Sequence, residues 1–269
     1  MSKIHPTAII HPNAKIADTV EIGPFCVIGE NVILKEGVIL KPNVNIEFTE
    51  VGENSIIHSG AVIGTEPQDL GYKGEVTGVK IGKNCQIREY VTINRATHEG
   101  YTTIGDECLL MTGAHVGHNG VLENNVILAN DVILAGHTLV EYGAFLGGTI
   151  VVHQNCKIGK MAIMSGFSGA RQDIPPYSKT DGRPARIAGM NTIGMKRKGL
   201  SLEDRNLIKE AYKILFYSNL NTTQALNEIE NTLDITNEHL KHLVEFIKTS
   251  KRGIVKASSH TTHSCANEK

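Results

Sequence analysis

The feature that most constrains the fold is an aliphatic residue that recurs at every sixth position. Two gaps and one single-residue shift interrupt this series, which ends at Met164. We call the recurring aliphatic residue the head and count it as the first position of a six-residue unit. The heads are Ile4, Ile10, Ile16, Ile22, Ile28, Leu34, Leu40, Ile46, Val51, Ile57, Ile63, Ile81, Ile87, Ile93, Ile104, Leu110, Val116, Leu122, Leu128, Leu134, Val140, Leu146, Val152, Ile158 and Met164. The fifth position of each unit is usually small or β-branched, and Gly often follows the head. This period predicts short strands and turns that stack as the coils of a parallel β-helix.

The composition agrees with a narrow aliphatic core. Trp is absent, and aromatic residues make up 5% of the chain. Four of the five cysteines occupy the fifth position of a unit: Cys26, Cys85, Cys108 and Cys156. We interpret them as small core residues rather than metal ligands or nucleophiles. Their odd number and irregular spacing predict no disulfide framework.

The two gaps in the repeat, at 66–80 and 97–103, are expected to project from the stack as loops. The six-residue spacing is lost over both segments. Loops carried on a rigid scaffold often hold functional residues, although a tolerated surface insertion is the alternative. We therefore treat both loops as candidate parts of a site.

The repeat fades after Met164 and gives way to a helical pattern. The breakers Pro175-Pro176 and Gly182-Arg183-Pro184 mark an exit from the stack. Ser201 is the expected N-cap of a helix with Asp204 at its third position. Two further helices are expected over 222–233 and 236–248. The predicted domains are a β-helix over 1–190, a helical domain over 191–257 and a disordered tail over 258–269.

Charge and hydropathy exclude several classes of protein. The net charge of -1 argues against a general nucleic-acid binder. No apolar run approaches the length that a membrane helix needs, so we expect a protein that does not span a membrane. The N-terminus lacks the apolar stretch of a signal peptide, and a cytoplasmic location is expected. In the tail, we interpret His260, His263 and Cys265 as solvated residues rather than a metal site.

Four histidines are predicted to meet near one corner of the stack. His118, His137 and His153 follow one another at spacings of 19 and 16 residues, close to three six-residue units, and His115 lies three residues before His118. The functional interpretation is a general base with polar neighbours, because the unperturbed pKa of His lies nearest neutrality. The alternative is a stacked polar ladder at a solvated edge.

The six-residue unit resembles that of the hexapeptide-repeat acyltransferases. The segments 113–118, 128–137, 152–154, 172–177 and 191–197, together with 67–70, 88–89 and 251–254, resemble in order the acyl-[acyl-carrier-protein]–UDP-N-acetylglucosamine O-acyltransferase family, which begins lipid A biosynthesis. The resemblance covers about residues 4 to 254. It implies an all-β left-handed parallel β-helix of hexapeptide repeats, three units to a coil, followed by a C-terminal α-helical domain. It also implies a homotrimer with active sites between the prisms.

The resemblance implies a role for each matching residue. His118 matches the catalytic base, and the backbone N–H of Gly136 matches the oxyanion donor. Gly166 matches a position that limits acyl-chain length, and its lack of a side chain predicts a long chain of about 12 to 14 carbons. The remaining matches are substrate-binding positions. Asp69, His115, His137 and Gln154 match sugar-contacting positions, Asn191 and Arg197 match nucleotide-contacting positions, and His153 and Lys198 are further substrate-binding candidates.

The implied reaction needs no metal and no organic cofactor. The base would deprotonate the sugar 3-hydroxyl as it attacks an (R)-3-hydroxyacyl thioester carried on the 4′-phosphopantetheine of acyl carrier protein. The partners implied are therefore acyl carrier protein and a UDP-sugar. The basic run 196–198 could also contact the acidic carrier protein.

Departures from the family pattern keep alternatives open. Asn119 stands where Asp is common, Gly71 where Lys is common, Ile193 where Glu is common, and Asn155 where an aromatic residue is common. One alternative is N-acylation of the 3-amino analogue of UDP-N-acetylglucosamine. Others are a small-acyl transferase that uses coenzyme A, a zinc hydratase resembling the γ-class carbonic anhydrases, and a non-catalytic structural β-helix paralogue.

Overall fold

A computed structural model describes residues 3–257, and most of its strands are two residues long and are separated by short turns. Each strand pairs a head residue with the residue before it, as in Glu21–Ile22 and Leu109–Leu110. The head points inward and its neighbour points outward, because successive side chains of a strand alternate between faces. The six-residue unit is therefore one strand and one turn.

The strands follow in chain order with short turns between most of them. The first half contains β1 Lys3–Ile4, β2 Ile9–Ile10, β3 Lys15–Ile16, β4 Glu21–Ile22, β5 Val27–Ile28, β6 Ile33–Leu34, β7 Ile39–Leu40, β8 Asn45–Ile46, β9 Thr49–Val51, β10 Ile56–Ile57, β11 Val62–Thr65, β12 Gly78–Ile81, β13 Gln86–Ile87 and β14 Thr92–Asn94. The second half contains β15 Tyr101–Ile104, β16 Leu109–Leu110, β17 His115–Val116, β18 Val121–Leu122, β19 Ile127–Leu128, β20 Ile133–Leu134, β21 Leu139–Val140, β22 Phe145–Leu146, β23 Val151–Val152, β24 Lys157–Ile158, β25 Ile163–Met164, β26 Gly169–Ala170, β27 Ser178–Asp181 and β28 Arg186–Met190.

From β1 to β26 every third strand joins the same sheet, so three strands make one coil. The first sheet has 11 strands and runs from β1 through β4 and β7 to β25, β27 and β28; the second has nine, from β2 to β26, and the third has eight, from β3 to β24. All pairs are parallel except β27 with β28. The three sheets form the faces of a left-handed parallel β-helix, which confirms the expected fold class.

The turns between the faces define three corners. The first corner connects the first sheet to the second, the second corner connects the second to the third, and the third corner leads back to the first. The core between the faces holds the stacked heads, which are at most 3% exposed from Ile22 onward. The four cysteines of the repeat are buried and free, which confirms their prediction as core residues.

The fourth position of many units has a left-handed backbone. Asn119, His137 and Asn155 occupy it with φ of 56°, 57° and 60°. Asn is among the few residues that tolerate this region at low steric cost. The asparagines at 119 and 155 therefore suit the turn geometry, whatever else their side chains do.

The two expected loops are shorter than predicted. The first spans 66–77, because residues 78–80 belong to β12, which pairs with both β9 and β15. The second spans 95–100: it begins two residues before the predicted start, because β14 ends at Asn94, and it ends earlier than predicted, because residues 101–103 belong to β15. Each of these two strands begins two residues earlier than a strand of the repeat would. The added residues pair with each other, Gly78 with Tyr101 and Val79 with Thr102. Both loops leave the second corner.

Within residues 3–257, four helices follow the antiparallel β27–β28 pair. They are α1 Thr192–Arg197, α2 Leu202–Tyr217, α3 Thr222–Thr232 and α4 Glu238–Lys248. Ser201 caps α2 in a capping box with Asp204, as predicted, whereas the short α1 was not predicted from the sequence. After α4 the chain returns to the prism, where Ile254 bridges to Asp173 and Ala257 to Ile187.

In the span 3–257, none of the helices is long and apolar enough to cross a membrane. The expected tail over 258–269, with His260, His263 and Cys265, lies outside the described residues.

Candidate active site

The second corner concentrates the polar side chains that the sequence singled out. His118, His137 and His153 lie on the turns that follow β17, β20 and β23, three successive strands of the second sheet. The two loops leave the same corner on the coils before His118. The predicted common corner is therefore confirmed, and the coil spacing of about 4.8 Å between paired strands sets the distances along it.

The ring of His118 is oriented by Asn119. Nδ1 of His118 lies 3.0 Å from Oδ1 of Asn119. The same Oδ1 accepts the backbone N–H of Thr97 at 2.8 Å, while Nδ2 of Asn119 donates to Thr97 O at 3.3 Å. Because the two Thr97 groups fix which side of the amide is oxygen, Oδ1 must be the acceptor. His118 then carries its proton on Nδ1, and the lone pair of Nε2 is free.

The free Nε2 of His118 faces a carboxylate and a glycine. Oδ2 of Asp69, from the first loop, lies 3.9 Å from Nε2. Gly136, one coil further on, packs directly against the ring, and a Cβ at this position would overlap Nε2. The backbone N–H of Gly136 has no hydrogen-bond acceptor among residues 3–257. This corner thus places a base and an unpaired N–H donor side by side.

The two nearest histidines surround the base without sharing its hydrogen bonds. The ring of His137 meets that of His118 edge to face, with centroids 5.1 Å apart. Nδ1 of His115 lies 2.7 Å from Oγ1 of Thr92 on β14. Burial lowers the pKa of both His115 and His137, and the neighbouring His118 lowers each further. Both rings are therefore favoured in their neutral form.

Asp69 is held in its charged form within a tight turn. Its Oδ1 accepts the backbone N–H of Gly71 at 2.9 Å. That bond is the main cause that lowers the pKa of Asp69, with smaller contributions from His118 and His98. A negative carboxylate beside two imidazole rings suits a hydroxyl-bearing or amide-bearing ligand, because it accepts hydrogen bonds only.

Residues of the second loop belong to the site although no prediction named them. Thr97 fixes Asn119, and a Cβ at Gly71 would lie 3.6 Å from Cε1 of His98. Nδ1 of His98 is 3.4 Å from Oε1 of Glu75 in the first loop. The only signal in the sequence was the gap itself, since irregular loops carry no periodicity from which contacts can be read.

His153 and Gln154 lie at the second corner but further along the prism. Nδ1 of His153 contacts the carbonyl oxygen of Gln154 at 3.1 Å. His153 also lines a recess of about 340 Å³ with Arg171 and Arg183. Both histidine and glutamine side chains are exposed, so they can contact a ligand that extends from His118 along the corner.

The predicted nucleotide residues lie at a different corner. Asn191 caps α1 and donates from Nδ2 to Met161 O at 2.8 Å. Nζ of Lys198 donates to Oδ1 of Asn125 at 3.0 Å. Met161 and Asn125 belong to third-corner turns, and Arg197 closes α1 beside Lys198. Within one chain these residues do not meet the histidines.

Gly166 lies at the first corner, on the turn between β25 and β26. It is exposed, and a Cβ there would lie 3.2 Å from Gly148 O and meet no side chain within 4 Å. A larger side chain at position 166 would therefore extend away from the prism into the space outside the first corner. Across residues 3–257, three or more His, Cys, Asp or Glu side chains nowhere come together in a way that could hold a metal ion.

Family models match two parts of the chain, and curated relatives match most of it. The family model described as UDP N-acetylglucosamine O-acyltransferase, domain 2, matches residues 173–255, and that of the GMPPB C-terminal domain matches residues 4–98. The acyl-[acyl-carrier-protein]–UDP-N-acetylglucosamine O-acyltransferase of Thermodesulfovibrio yellowstonii is 47% identical over 257 residues, which cover 94% of this chain and 99% of the relative. The enzyme of the same name from Synechocystis is 47% identical over 203 residues, covering 75% of this chain and 73% of the relative.

Solved structures extend the likeness to the fold. LpxA from Acinetobacter baumannii superposes with a TM-score of 0.90 at 38% identity, covering 94% of this chain and 99% of that one. UDP-N-acetylglucosamine acyltransferase from Campylobacter jejuni has a TM-score of 0.88 at 32% identity, covering 95% and 100% of the two chains. The β-helix and the helical domain are thus shared as one arrangement.

Proposed function

The chain belongs to the acyl-[acyl-carrier-protein]–UDP-N-acetylglucosamine O-acyltransferase family, and from this we propose how its residues carry out the reaction. The enzyme transfers an (R)-3-hydroxyacyl chain from acyl carrier protein to the 3-hydroxyl of UDP-N-acetylglucosamine, the first step of lipid A biosynthesis. The observation that carries the residue assignment is the free Nε2 of His118 beside Asp69 and the unpaired N–H of Gly136.

His118 acts as the general base. Its Nε2 accepts the proton of the sugar 3-hydroxyl while that oxygen bonds to the thioester carbonyl carbon. The Nδ1–H bond to Asn119 holds the ring in place and disperses part of the positive charge that forms. The C–S bond then breaks, and the proton held on His118 passes to the departing thiolate of the phosphopantetheine arm. No metal and no organic cofactor takes part in these steps.

Gly136 stabilises the tetrahedral intermediate. Its backbone N–H is free to donate to the oxyanion, and a fixed donor aimed at developing charge is effective because it needs no reorganisation. The missing side chain lets the Gly136 backbone approach the base closely. A glycine is therefore required here for access rather than for backbone freedom, since its φ lies outside the left-handed range.

The sugar and the nucleotide are bound by different parts of the site. Asp69, His115 and His137 surround the 3-hydroxyl, and His153 with Gln154 contacts the ligand further along the corner. Asn191, Arg197 and Lys198 bind the nucleotide, with the guanidinium and ammonium groups on its diphosphate. These last residues lie at the third corner, which supports a site that takes them from a second chain.

We propose that the chain assembles as a homotrimer that brings the two corners together. The outer face of the second sheet exposes large apolar side chains at two places, on β2 and β5 and on β20 and β23, and aromatic residues project from the first corner beside it. The residues are Ile9, Val27, Ile133 and Val151 on the sheet, and Phe25, Tyr90 and Phe167 at the corner. Exposed apolar surface of this extent marks an interaction site, and a closed ring of three prisms covers it on every copy.

The donor is recognised at the outer end of the site. The exposed run Lys196, Arg197 and Lys198 supplies positive charge for the acidic carrier protein, as well as for the diphosphate. The acyl chain extends toward Gly166, where no side chain closes the path. We propose a cytoplasmic location, because the donor is the carrier protein of fatty-acid synthesis.

An activity assay that compares two acyl donors and two acceptors tests this function. Purified enzyme is given hydroxyacyl donors on acyl carrier protein or on coenzyme A, and either UDP-N-acetylglucosamine or its 3-amino analogue as acceptor. We expect ester formation from the carrier-protein donor and the hydroxyl acceptor. Preference for the amino analogue would assign the chain to amide formation, and no turnover with any pair would indicate a structural paralogue.

A matched set of alanine variants tests the base. His118→Ala should lower kcat by about 10²- to 10⁴-fold, the usual contribution of a general base. The loss should exceed that of His115→Ala, His137→Ala and His153→Ala, because the Nε2 of His118 lies beside both Asp69 and the unpaired N–H of Gly136. Retention of more than about a tenth of the activity would contradict the assignment.

A further inference from the structure

A buried arginine lies beneath the first loop, on the chain segment that follows β14. Arg95 is only 6% exposed. Its Nη1 donates to Gly64 O at 3.0 Å and to Oε1 of Glu47 at 3.2 Å. The guanidinium also stacks on the ring of Phe48, with Cζ 4.4 Å from the centroid. One edge of the guanidinium is therefore fixed by the prism itself.

The other edge of Arg95 holds the loop 66–77. Nη2 and Nε donate to the phenolic oxygen of Tyr72 at 2.8 and 3.3 Å. The Tyr72 hydroxyl in turn donates to Glu75 O at 3.1 Å. The Glu66 carboxylate, at the start of the loop, lies 3.5 Å from Nη2. A planar fork of donors suits this task, because it reaches the prism and the loop simultaneously.

The anchored tyrosine closes the turn that presents Asp69. The backbone N–H of Tyr72 donates to Asp69 O at 3.1 Å, and that of Gly71 donates to Asp69 Oδ1 at 2.9 Å. The second carboxylate oxygen is left facing Nε2 of His118. The position of this oxygen thus depends on where Tyr72 is held.

The segment 94–97 connects this anchor to the base. Nδ2 of Asn94 donates to Glu66 O at 2.8 Å, on the loop side. Two residues beyond Arg95, the backbone of Thr97 pairs with Asn119, which orients His118. All four residues of the segment are buried. One short stretch of chain therefore contacts both the loop that carries Asp69 and the Asn119 side chain that orients His118.

We infer that Arg95 is a positioning residue that acts through Tyr72 to place Asp69 at the sugar site. The inference rests on the proposed function, in which Asp69 binds the acceptor sugar. Without the anchor, the loop must be ordered when the substrate binds, and that conformational entropy is taken from the binding free energy. The base keeps its own support on Asn119, so binding of the acceptor should suffer more than the chemical step.

Tyr72→Phe is the sharpest variant, because it removes the anchored oxygen and keeps Arg95 on the prism. A lost hydrogen bond to a charged group corresponds to a rise of about tenfold or more in the KM for UDP-N-acetylglucosamine. The kcat should stay within a factor of about three, since the base is untouched. Tyr101→Phe on β15 is the matched control. Arg95→Lys, which keeps the charge but not the fork, should resemble Tyr72→Phe.

A double-mutant cycle with Asp69→Asn separates positioning from a general structural role. If Arg95 and Tyr72 act through Asp69, Tyr72→Phe should add less than about a twofold change in KM to Asp69→Asn. Hydrogen exchange should accelerate in residues 66–77 of Tyr72→Phe and remain unchanged in the coils. Unchanged exchange in this loop, or full additivity in the cycle, would overturn the inference. A wild-type KM in Asp69→Asn, with faster loop exchange in Tyr72→Phe, would instead overturn the sugar-binding role proposed for Asp69.

Discussion

Nδ1 of His118 and Oδ1 of Asn119 are 3.0 Å apart, and the amide that supplies this oxygen is fixed by the backbone of Thr97. Both the N–H and the carbonyl of Thr97 are engaged, so the amide has one orientation. The neutral oxygen then selects the tautomer of His118 as a carboxylate would, but without a negative charge. The departure from Asp at this position preserves the geometry of the base and changes its electrostatics.

Asn119 should therefore be replaceable by Asp but not by an apolar residue. Asn119→Asp keeps the acceptor for His118 and adds a charge that stabilises the imidazolium, while it places an oxygen against the carbonyl of Thr97. We expect the rate to stay within about tenfold of the parent. Asn119→Leu should lose about 10- to 10²-fold in kcat, as expected for a hydrogen bond to a charged group. Steady-state kinetics of both variants test this prediction. An inactive Asn119→Asp would show that this chain does not hold the His118 ring as the Asp of its family does.

Gly136→Ala should inactivate the enzyme through the base rather than through the fold. The added methyl group would overlap Nε2 of His118 and displace the ring. We expect a loss in kcat of at least about 10², similar to loss of the base. The thermal midpoint should change little, because the ring can turn outward. In a His118→Ala background the same change should add almost nothing; a further large loss would indicate that the methyl group acts elsewhere.

Mixed trimers should recover activity from two inactive chains. His118→Ala removes a second-corner residue, and Arg197→Ala removes a third-corner residue. If each site combines these corners from neighbouring chains, random co-assembly in equal amounts restores about a quarter of the sites. Refolded mixtures are assayed against each pure variant. The control mixture of His118→Ala with Gly136→Ala, which share a corner, should stay inactive, and equal behaviour of both mixtures would contradict a shared site.

Acidification should destabilise the fold partly through His115. Burial lowers its folded-state pKa below the ordinary value of 6.5, so the unfolded chain binds more protons as the pH falls through that range. The contribution of neutral His115 to the free energy of unfolding is therefore fully present above about pH 7 and is lost as the pH falls below about 6.5. His115→Gln should show a smaller decline between pH 7.5 and 5.5 in urea unfolding. A decline equal to that of the parent would exclude His115 as a contributor.

Gly166 should set the preferred length of the acyl chain. No side chain closes the first corner there, and each buried methylene contributes about 0.8 kcal/mol. We expect a preference for chains of about 12 to 14 carbons and, in Gly166→Met, a shift of several carbons toward shorter donors. Rates with hydroxyacyl carrier proteins of ten, twelve and fourteen carbons measure this. Equal or faster transfer of the ten-carbon chain by the parent enzyme would contradict the prediction, and the exposed ring of Phe167 is then the residue to test.

The repeat by itself determined the prism, its core and the corner at which the histidines meet. Each unit specifies one strand and one turn by local pattern alone, so residues such as His118 and His137 fall into register without knowledge of distant contacts. The same periodicity places Asn119 at the left-handed turn position. The roles of single residues came from a family resemblance instead, since the period says nothing about chemistry.

Only the tertiary structure decided what the irregular segments bring to that corner. Tyr72, whose backbone N–H closes the turn at Asp69, is held by Arg95, and these two residues lie in two separate loops where no period relates one residue to the next. Likewise, Lys198 rests on Asn125 at another corner because the helices pack back along the prism. Such contacts join residues that are far apart in sequence through side-chain shape and hydrogen bonding, and a local pattern holds no information about them.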